Sequence, residues 1–196
     1  GLGISLETVD IGFASLEKSG NTFPDEALEK ARDADGTIMG PTDTLAYPPL
    51  AEGGRGPSAF MRTGLDLYAN IRPAKTRSGV PSAVENMDLV FARENTEGFY
   101  ADRSMYLGNG EMMLTEDVAI SVRKITREAS RKIAEAAFKL AVQRRRKVTI
   151  VTKRNVLKMT DGLFHDTVRA VAQDYPEVEV DDVIIDAMSA LMVRTP

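Results

Sequence analysis

The sequence predicts an α/β protein of two domains with a projecting β-arm. Three observations carry this. Helix-period and strand-period segments alternate, as in the run from Asp25 through ADGTIMGP and again from Val148 to Ile185. The linker Pro-Ala-Lys-Thr-Arg-Ser-Gly follows a predicted strand and marks a change of organisation. It sets a boundary that gives domains at 1–67 and 68–196. Asn109-Gly110 lies between the apolar triplets Met105–Leu107 and Met112–Leu114, a hairpin signal that predicts an arm at about 101–122.

In chain order, Ile4, Leu6, Val9 and Ile11 form a short β-prone run that predicts a strand. Asn21–Pro24 is a turn. A helix is expected over Asp25–Arg32, where acidic residues at the start suit the helix dipole. Thr37–Met39 reads as a buried strand running into Gly40-Pro41. The loop Gly40–Thr44 then lies beyond a strand's carboxyl end, where α/β sheets bind ligands, although a plain surface turn fits the residues as well. Tyr47–Pro57 holds three prolines and three glycines and is read as a mobile loop. A helix begins at Ser58 and carries Phe60, Met61 and Leu65. Tyr68–Ile71 reads as a strand stopped by Pro73, and Asp88–Arg93 as a buried strand. Thr126–Arg144 has the clearest helical stripe: Ala129, Ile133, Ala136, Ala137 and Leu140. Val148–Thr152 is a strand delivering Lys153, Gly162–Asp174 a helix, and Val178–Ile185 a strand followed by Asp186.

Composition excludes several functions. The 196 residues are 43% hydrophobic, enough for a packed core, and the net charge of −4 gives no general nucleic-acid surface. There is no cysteine, which removes thiolate nucleophiles and zinc–sulfur sites and favours the cytoplasm. The single histidine, His165, speaks against a histidine-rich metal centre. No apolar run is long enough to span a bilayer, and GLGISLETVD has no signal-peptide pattern.

The candidate chemistry is anionic recognition. Arg62, Arg72 and Arg93 each lie in or beside an apolar element, and arginine grips a carboxylate as a two-toothed fork. Three converging arginines suit a substrate with two or three carboxylates. The alternative is separate structural ion pairs, as with Asp66 or Glu94. Lys153, at a strand's end beside another cation, can serve as a base; an ordinary surface lysine is the other reading. Tyr100 can donate a phenolic proton or simply pack. Asp186 can hold a hard divalent cation or cap the following helix.

These residues lie in PDEALEKARDADGTIMGP, LDLYANIRPAK, ARENTEGFY, ITREASRKIAEAAF, VTIVTKRNVLKMTDGLF and VDDVIIDAMSALMVRTP. In that order the stretches resemble the isocitrate and 3-isopropylmalate dehydrogenases, the metal-dependent β-decarboxylating family, over nearly the whole chain. The combination of RENTEG with TKRNVLK is specific. The resemblance implies a three-layer α/β fold of two domains around a cleft. Residues 1–67 would belong to the cofactor-side domain, and 68–196 to the substrate and dimerisation domain with its clasping arm. It implies that Arg62, Arg72 and Arg93 hold substrate carboxylates, and that Ser58 faces the variable C3 substituent. Tyr100 would protonate the product enol and Lys153 would remove the hydroxyl proton. Asn155 would lie near the nicotinamide of NAD (or NADP), and Asp186 would bind Mg²⁺ or Mn²⁺. Lys153 and Asp186 would act in the neighbouring subunit's site of a homodimer.

The resemblance also implies a chain shortened at both ends. The family's first strand and glycine-rich loop would fall before Gly1. Two further metal aspartates and the adenine loop would fall beyond Pro196. Substrate signals conflict. Ser58 and Ala59, four and three positions before Arg62, and Arg55 further back lean away from an isopropyl group. RENTEG leans toward isocitrate or homoisocitrate, and the DAM of Asp186–Met188 toward isopropylmalate. Tartrate or D-malate dehydrogenases are alternatives. So is a noncatalytic regulatory subunit, whose mark would be loss of the tyrosine or lysine; Tyr100 and Lys153 are both present.

Overall fold

The computed structural model describes residues 3–100, 105 and 110–195. The chain divides into two compact units, Gly1–Leu67 and Tyr68–Pro196.

The first unit is built from α1 (Phe13–Ser19), α2 (Asp25–Asp33) and α3 (Pro57–Gly64), with 3-10 turns at Thr44–Ala46 and Leu50–Glu52. Asp25 and Glu26 occupy the first turn of α2 and Lys30 and Arg32 the last, the arrangement a helix dipole favours. Phe23, Ala27 and Met61 form the core, joined by Val9, Ile11, Leu28, Ala31, Phe60 and Leu65. Pro57 starts α3, where its missing N–H costs no helical hydrogen bond.

Three sequence expectations are corrected here. Ile4–Ile11 joins no ladder among the described residues; Val9 and Ile11 reach the core while Ile4 and Leu6 are exposed. Thr37–Met39 is not a buried strand either, since Ile38 is 97% exposed. β-propensity makes a strand only with a hydrogen-bonded neighbour, and neither segment has one among the described residues. The Tyr47–Pro57 loop is better organised than its composition implied. The buried Thr22 hydroxyl donates to the Arg55 carbonyl at 2.6 Å, and Thr22 N–H donates to the Gly53 carbonyl at 2.9 Å. Gly53 has φ +89°, and a Cβ there would strike the Gly20 carbonyl, so the close approach needs glycine.

The second unit holds three two-stranded sheets among the described residues. β1 (Ala69–Lys75) pairs antiparallel with β2 (Asp88–Glu94), in a register that sets Asn70 opposite Arg93 and Arg72 opposite Phe91. Pro73 does not stop β1, as the sequence suggested. It sits opposite Val90 in a two-stranded ribbon, where its missing donor can face away from the partner. β3 (Glu111–Thr115) and β4 (Val118–Ser121) form an exposed hairpin. Its turn is Glu116-Asp117, because Thr115 pairs with Val118. The expected turn at Asn109-Gly110 is therefore not that of the described hairpin. Asn109 lies outside the described residues, and Gly110 closes the hairpin base by accepting from Val122 N–H at 2.7 Å.

α4 (Arg127–Val142) follows, then β5 (Lys147–Thr152), α5 (Thr160–Ala172), β6 (Glu179–Ile184) and α6 (Ile185–Arg194). The Thr126 side chain caps α4 by accepting from Ala129 N–H at 3.2 Å. The buried face of α4 is Ala129, Ser130, Ile133, Ala134, Phe138 and Ala141. It is rotated from the expected stripe, since Phe138 rather than Leu140 is its largest anchor. β5 and β6 are parallel and joined through α5, a βαβ unit. Phe138 and Ile150 meet Val168, Val171 and Val178 in one core, with Phe138 stacked on Tyr175 at 5.1 Å. The run after α4 is structural. Arg144 grips the Asp88 carboxylate at 2.6 Å, and Arg145 donates to the Asp88 carbonyl at 2.7 Å, tying the helix end to β2.

Phe138 is fully buried. Phe138→Ala is expected to destabilise the protein by about 3–5 kcal/mol in chemical denaturation. The Arg144 guanidinium, aided by Lys75, holds the Asp88 carboxyl below its ordinary value of 3.8. A depressed carboxyl gives stability that is present above that ordinary value and is lost as pH falls through the folded one. The melting temperature of Asp88→Asn should thus lie below the wild type's at neutral pH, and the gap should close in acid.

Candidate active site

The ribbon β1–β2 assembles the first group. Residues two apart on a strand share a face, as do residues directly opposite one another. Asn70, Arg72, Phe91 and Arg93 therefore lie on one face of the ribbon. The Asn70 side-chain oxygen accepts from Arg72 Nε at 2.9 Å, which aims that guanidinium along the strand. Arg93 donates to the Tyr100 hydroxyl at 3.4 Å, and its guanidinium stands 6.0 Å from the centre of that ring. Two exposed guanidinium groups and a phenol thus share one small surface.

The alternative that Arg93 pairs with Glu94 is not realised as the sequence suggested. The Glu94 carboxylate turns back onto its own loop, accepting from Thr96 N–H at 2.7 Å and Glu97 N–H at 2.9 Å. Glu97 in turn accepts from Thr126 N–H and its hydroxyl, both at 2.8 Å. These bonds fold the ARENTEGFY stretch into the turn that carries Tyr100 back toward Arg93.

The parallel pair β5–β6 assembles the second group. Thr152 is opposite Ile184, so the two carboxyl ends are side by side. Lys153 leaves one end and Asp186 follows the other, and their side chains form an ion pair. The expectation of a neighbouring cation is corrected: the Lys153 amine faces a carboxylate. Asp186 does not cap α6, whose N-cap position is Ile184 with no side-chain bond. Asn155 lies exposed in the turn after Lys153, where the amides of Val156 and Leu157 both bond the Lys153 carbonyl at 2.9 Å.

Ser58 and Arg62 belong to the first compact unit, one helical turn apart on α3. The structure joins Arg72 and Arg93 on one face and Lys153 with Asp186 at one sheet edge. It carries these two groups on different sheets. Arg55, a candidate for substrate choice, is already engaged: it pairs with Asp25 at 2.5 Å and lies over the Phe60 ring at 5.2 Å. The sequence reading missed Asn70, Asp161 and Arg123. Asn70 was findable as the polar residue two before Arg72 on the same strand face. Asp161 was findable as an acidic residue opening a helix just after Lys153.

The fit to a metal is partial. Asp186 offers one carboxylate oxygen, the hard ligand a divalent cation takes. Among the described residues no group of three or more acidic or histidine side chains could close a metal site. Also among them, no helix is long and apolar enough to cross a membrane.

Lys153 and Asp186 at the carboxyl ends of a parallel βαβ unit mark an α/β protein, the class in which ligands bind beyond those strand ends. A profile of the isocitrate/isopropylmalate dehydrogenase family matches residues 1–196, and the chain belongs to that family. It is 39% identical to a 3-isopropylmalate dehydrogenase of Archaeoglobus fulgidus over 95% of this chain and 53% of the relative. It is also 39% identical to an isocitrate/homoisocitrate dehydrogenase of Thermus thermophilus, over 100% of this chain and 56% of the relative. Among solved structures, isocitrate dehydrogenase from Methylococcus capsulatus superposes with a TM-score of 0.79 at 38% identity, covering 95% of this chain and 53% of that one. The chain spans about half the length of the curated relatives it matches.

The Lys153–Asp186 pair is open to solvent, with side chains 34% and 67% exposed. Exposed pairs contribute about 1 kcal/mol or less. Asp186→Asn and Lys153→Ala should therefore shift unfolding midpoints only slightly, which separates any loss of function from loss of fold.

Proposed function

We propose that the protein is an oxidative decarboxylase. Its substrate is an (R)-malate-type 2-hydroxy acid bearing a 3-carboxylate, and it uses NAD or NADP with Mg²⁺ or Mn²⁺. The observation that carries this is the pair of complementary groups: Arg72 and Arg93 on one ribbon face with Tyr100 against Arg93, and Lys153 with Asp186 at one parallel-strand edge. Family membership supports the same reading.

In this reading Arg62, Arg72 and Arg93 orient the substrate by its carboxylates, and each fork fixes an oxygen pair. Lys153, in its neutral amine form and released from its ion pair with Asp186, takes the proton of the C2 hydroxyl as the alcohol is oxidised. The C3–carboxylate bond breaks, CO₂ leaves, and Tyr100 supplies the proton that C3 then needs. When bound, the nicotinamide accepts the hydride from C2. Asn155 would lie beside it, and Asp186 would contribute one oxygen to the metal. Residues 1–67 serve the cofactor side. Residues 68–196 serve substrate binding and a homodimer, in which Lys153 and Asp186 reach the partner's site and the β3–β4 hairpin takes part in the clasp. The setting is the cytoplasm. Ser58, small and polar one turn before Arg62, favours a small or polar C3 substituent, which places isocitrate and homoisocitrate before isopropylmalate. Tartrate and D-malate are the alternative substrates. A noncatalytic regulatory subunit is disfavoured because Tyr100 and Lys153 are both present.

Purified protein should form reduced nicotinamide with Mg²⁺ and one of isocitrate, homoisocitrate, isopropylmalate, tartrate or D-malate. Lys153→Ala should lower turnover by about 10²-fold or more while leaving the dimer intact. Unchanged turnover in that variant would remove Lys153 from the chemistry and the reading with it.

A further inference from the structure

We infer that Asp161 is a positioning residue for Lys153, its buried carboxylate held by an ion pair with Arg123. The inference rests on the function proposed above for Lys153, but its geometry is independent of that reading.

The Asp161 side chain is 6% exposed, and its two oxygens have different tasks. Oδ2 accepts the Lys153 backbone N–H at 2.5 Å. Oδ1 pairs with the Arg123 guanidinium, which also reaches the Thr160 hydroxyl at 3.4 Å. A carboxylate this deeply buried is tolerated only when paired and hydrogen-bonded, and both conditions are met here. The bonded amide belongs to the first residue beyond β5, where the ladder to β6 has ended. Without Asp161 that donor would be left to a mobile strand end. Asp161 is itself fixed, because it opens α5 and its own N–H bonds the Leu157 carbonyl at 3.0 Å. One carboxylate therefore clamps both ends of the turn between β5 and α5, with Lys153 at its start.

Arg123 anchors this clamp to a second place. It lies two residues beyond β4, and its neighbour Lys124 exchanges two backbone bonds with Gly98, at 2.8 and 2.9 Å. Thr126, next but one, bonds Glu97. The segment 123–126 thus holds the main chain of Lys153 through Asp161 and the turn leading to Tyr100 through Glu97. The proposed base and the proposed acid are referenced to a single short stretch of chain.

The test compares Asp161→Asn, Arg123→Met and Arg123→Lys with wild type. Asp161→Asn keeps the size and one acceptor but leaves Arg123 without its counter-charge. It should lower kcat by about 10–100-fold, the scale of an ångström-sized misplacement. KM for the hydroxy acid should move by less than about threefold, since the substrate's carboxylates are held by the arginines. Arg123→Lys should recover part of the kcat lost in Arg123→Met, with both proteins melting cooperatively. A second readout needs no activity: acetylation of individual lysine amines by an activated acetate ester, followed by peptide mass spectrometry. In Asp161→Asn the Lys153 amine should be released from Asp186 and react about two- to fivefold faster, the equivalent of an exposed pair, while Lys158 is unchanged. Wild-type kcat and wild-type Lys153 acetylation in a folded Asp161→Asn protein would overturn the inference. If Asp161→Asn fails to fold, equal kcat in Arg123→Lys and Arg123→Met would overturn it. A wild type inactive on every acid would defeat the proposed function instead, and the acetylation rates alone would then judge the clamp.

Discussion

The parallel register of β5 and β6 is the constraint on which the candidate site depends. Pairing Thr152 with Ile184 ends both strands at the same level, so Lys153 and Asp186 emerge side by side. A slip of one residue would turn each side chain to the opposite face and part the pair. The register is defended from below by the core, where Ile150 packs with Phe138, Val168 and Val171. It is defended at the strand end by the Asp161 carboxylate on the Lys153 amide. Packing energy thus sets the position of a pair that contributes little stability itself.

The β1–β2 ribbon obeys a different economy. Its arginines are exposed on a two-stranded ribbon, so burial cannot fix their guanidinium groups. Short polar contacts do so instead: Asn70 to Arg72, and Arg93 to Tyr100. The turn after β2 is shaped by two acidic side chains, Glu94 on its own loop and Glu97 on the N-cap of α4. Neither glutamate faces the arginines in a simple ion pair. Keeping those acids occupied elsewhere leaves the guanidinium forks available to an anionic ligand.

Elements whose pattern reflects burial within this chain were legible in the sequence. α4, α5, β5 and β6 all arise where the expected residues place them, and so do the positions of Lys153 and Asp186 at the strand ends. The face of α4 was misjudged because alanines fill both sides of it, and only Phe138 breaks the tie. Ile4–Ile11 and Thr37–Met39 carry β-prone residues but find no strand to pair with among the described residues, and propensity alone cannot report that. The expected Asn109-Gly110 turn lies partly outside the described residues, and the hairpin that is described turns at Glu116-Asp117, set by the pairing of Thr115 with Val118. In the site, the charged end groups were readable, and their partners were not. Asn70, Asp161 and Arg123 act through contacts that the sequence separates by 2 to 38 positions, and only the fold brings the distant ones together.

The measurement that bears most directly on the proposed chemistry is the ratio of CO₂ released to reduced nicotinamide formed during turnover of the preferred hydroxy acid. The predicted ratio is about one, because proton removal at Lys153, hydride loss at C2 and cleavage at C3 belong to one turnover. Reduced nicotinamide formed without CO₂ would mark a simple alcohol oxidation. It would contradict the proposed roles of Tyr100 as the proton donor to C3 and of the arginines that orient the substrate for loss of its 3-carboxylate.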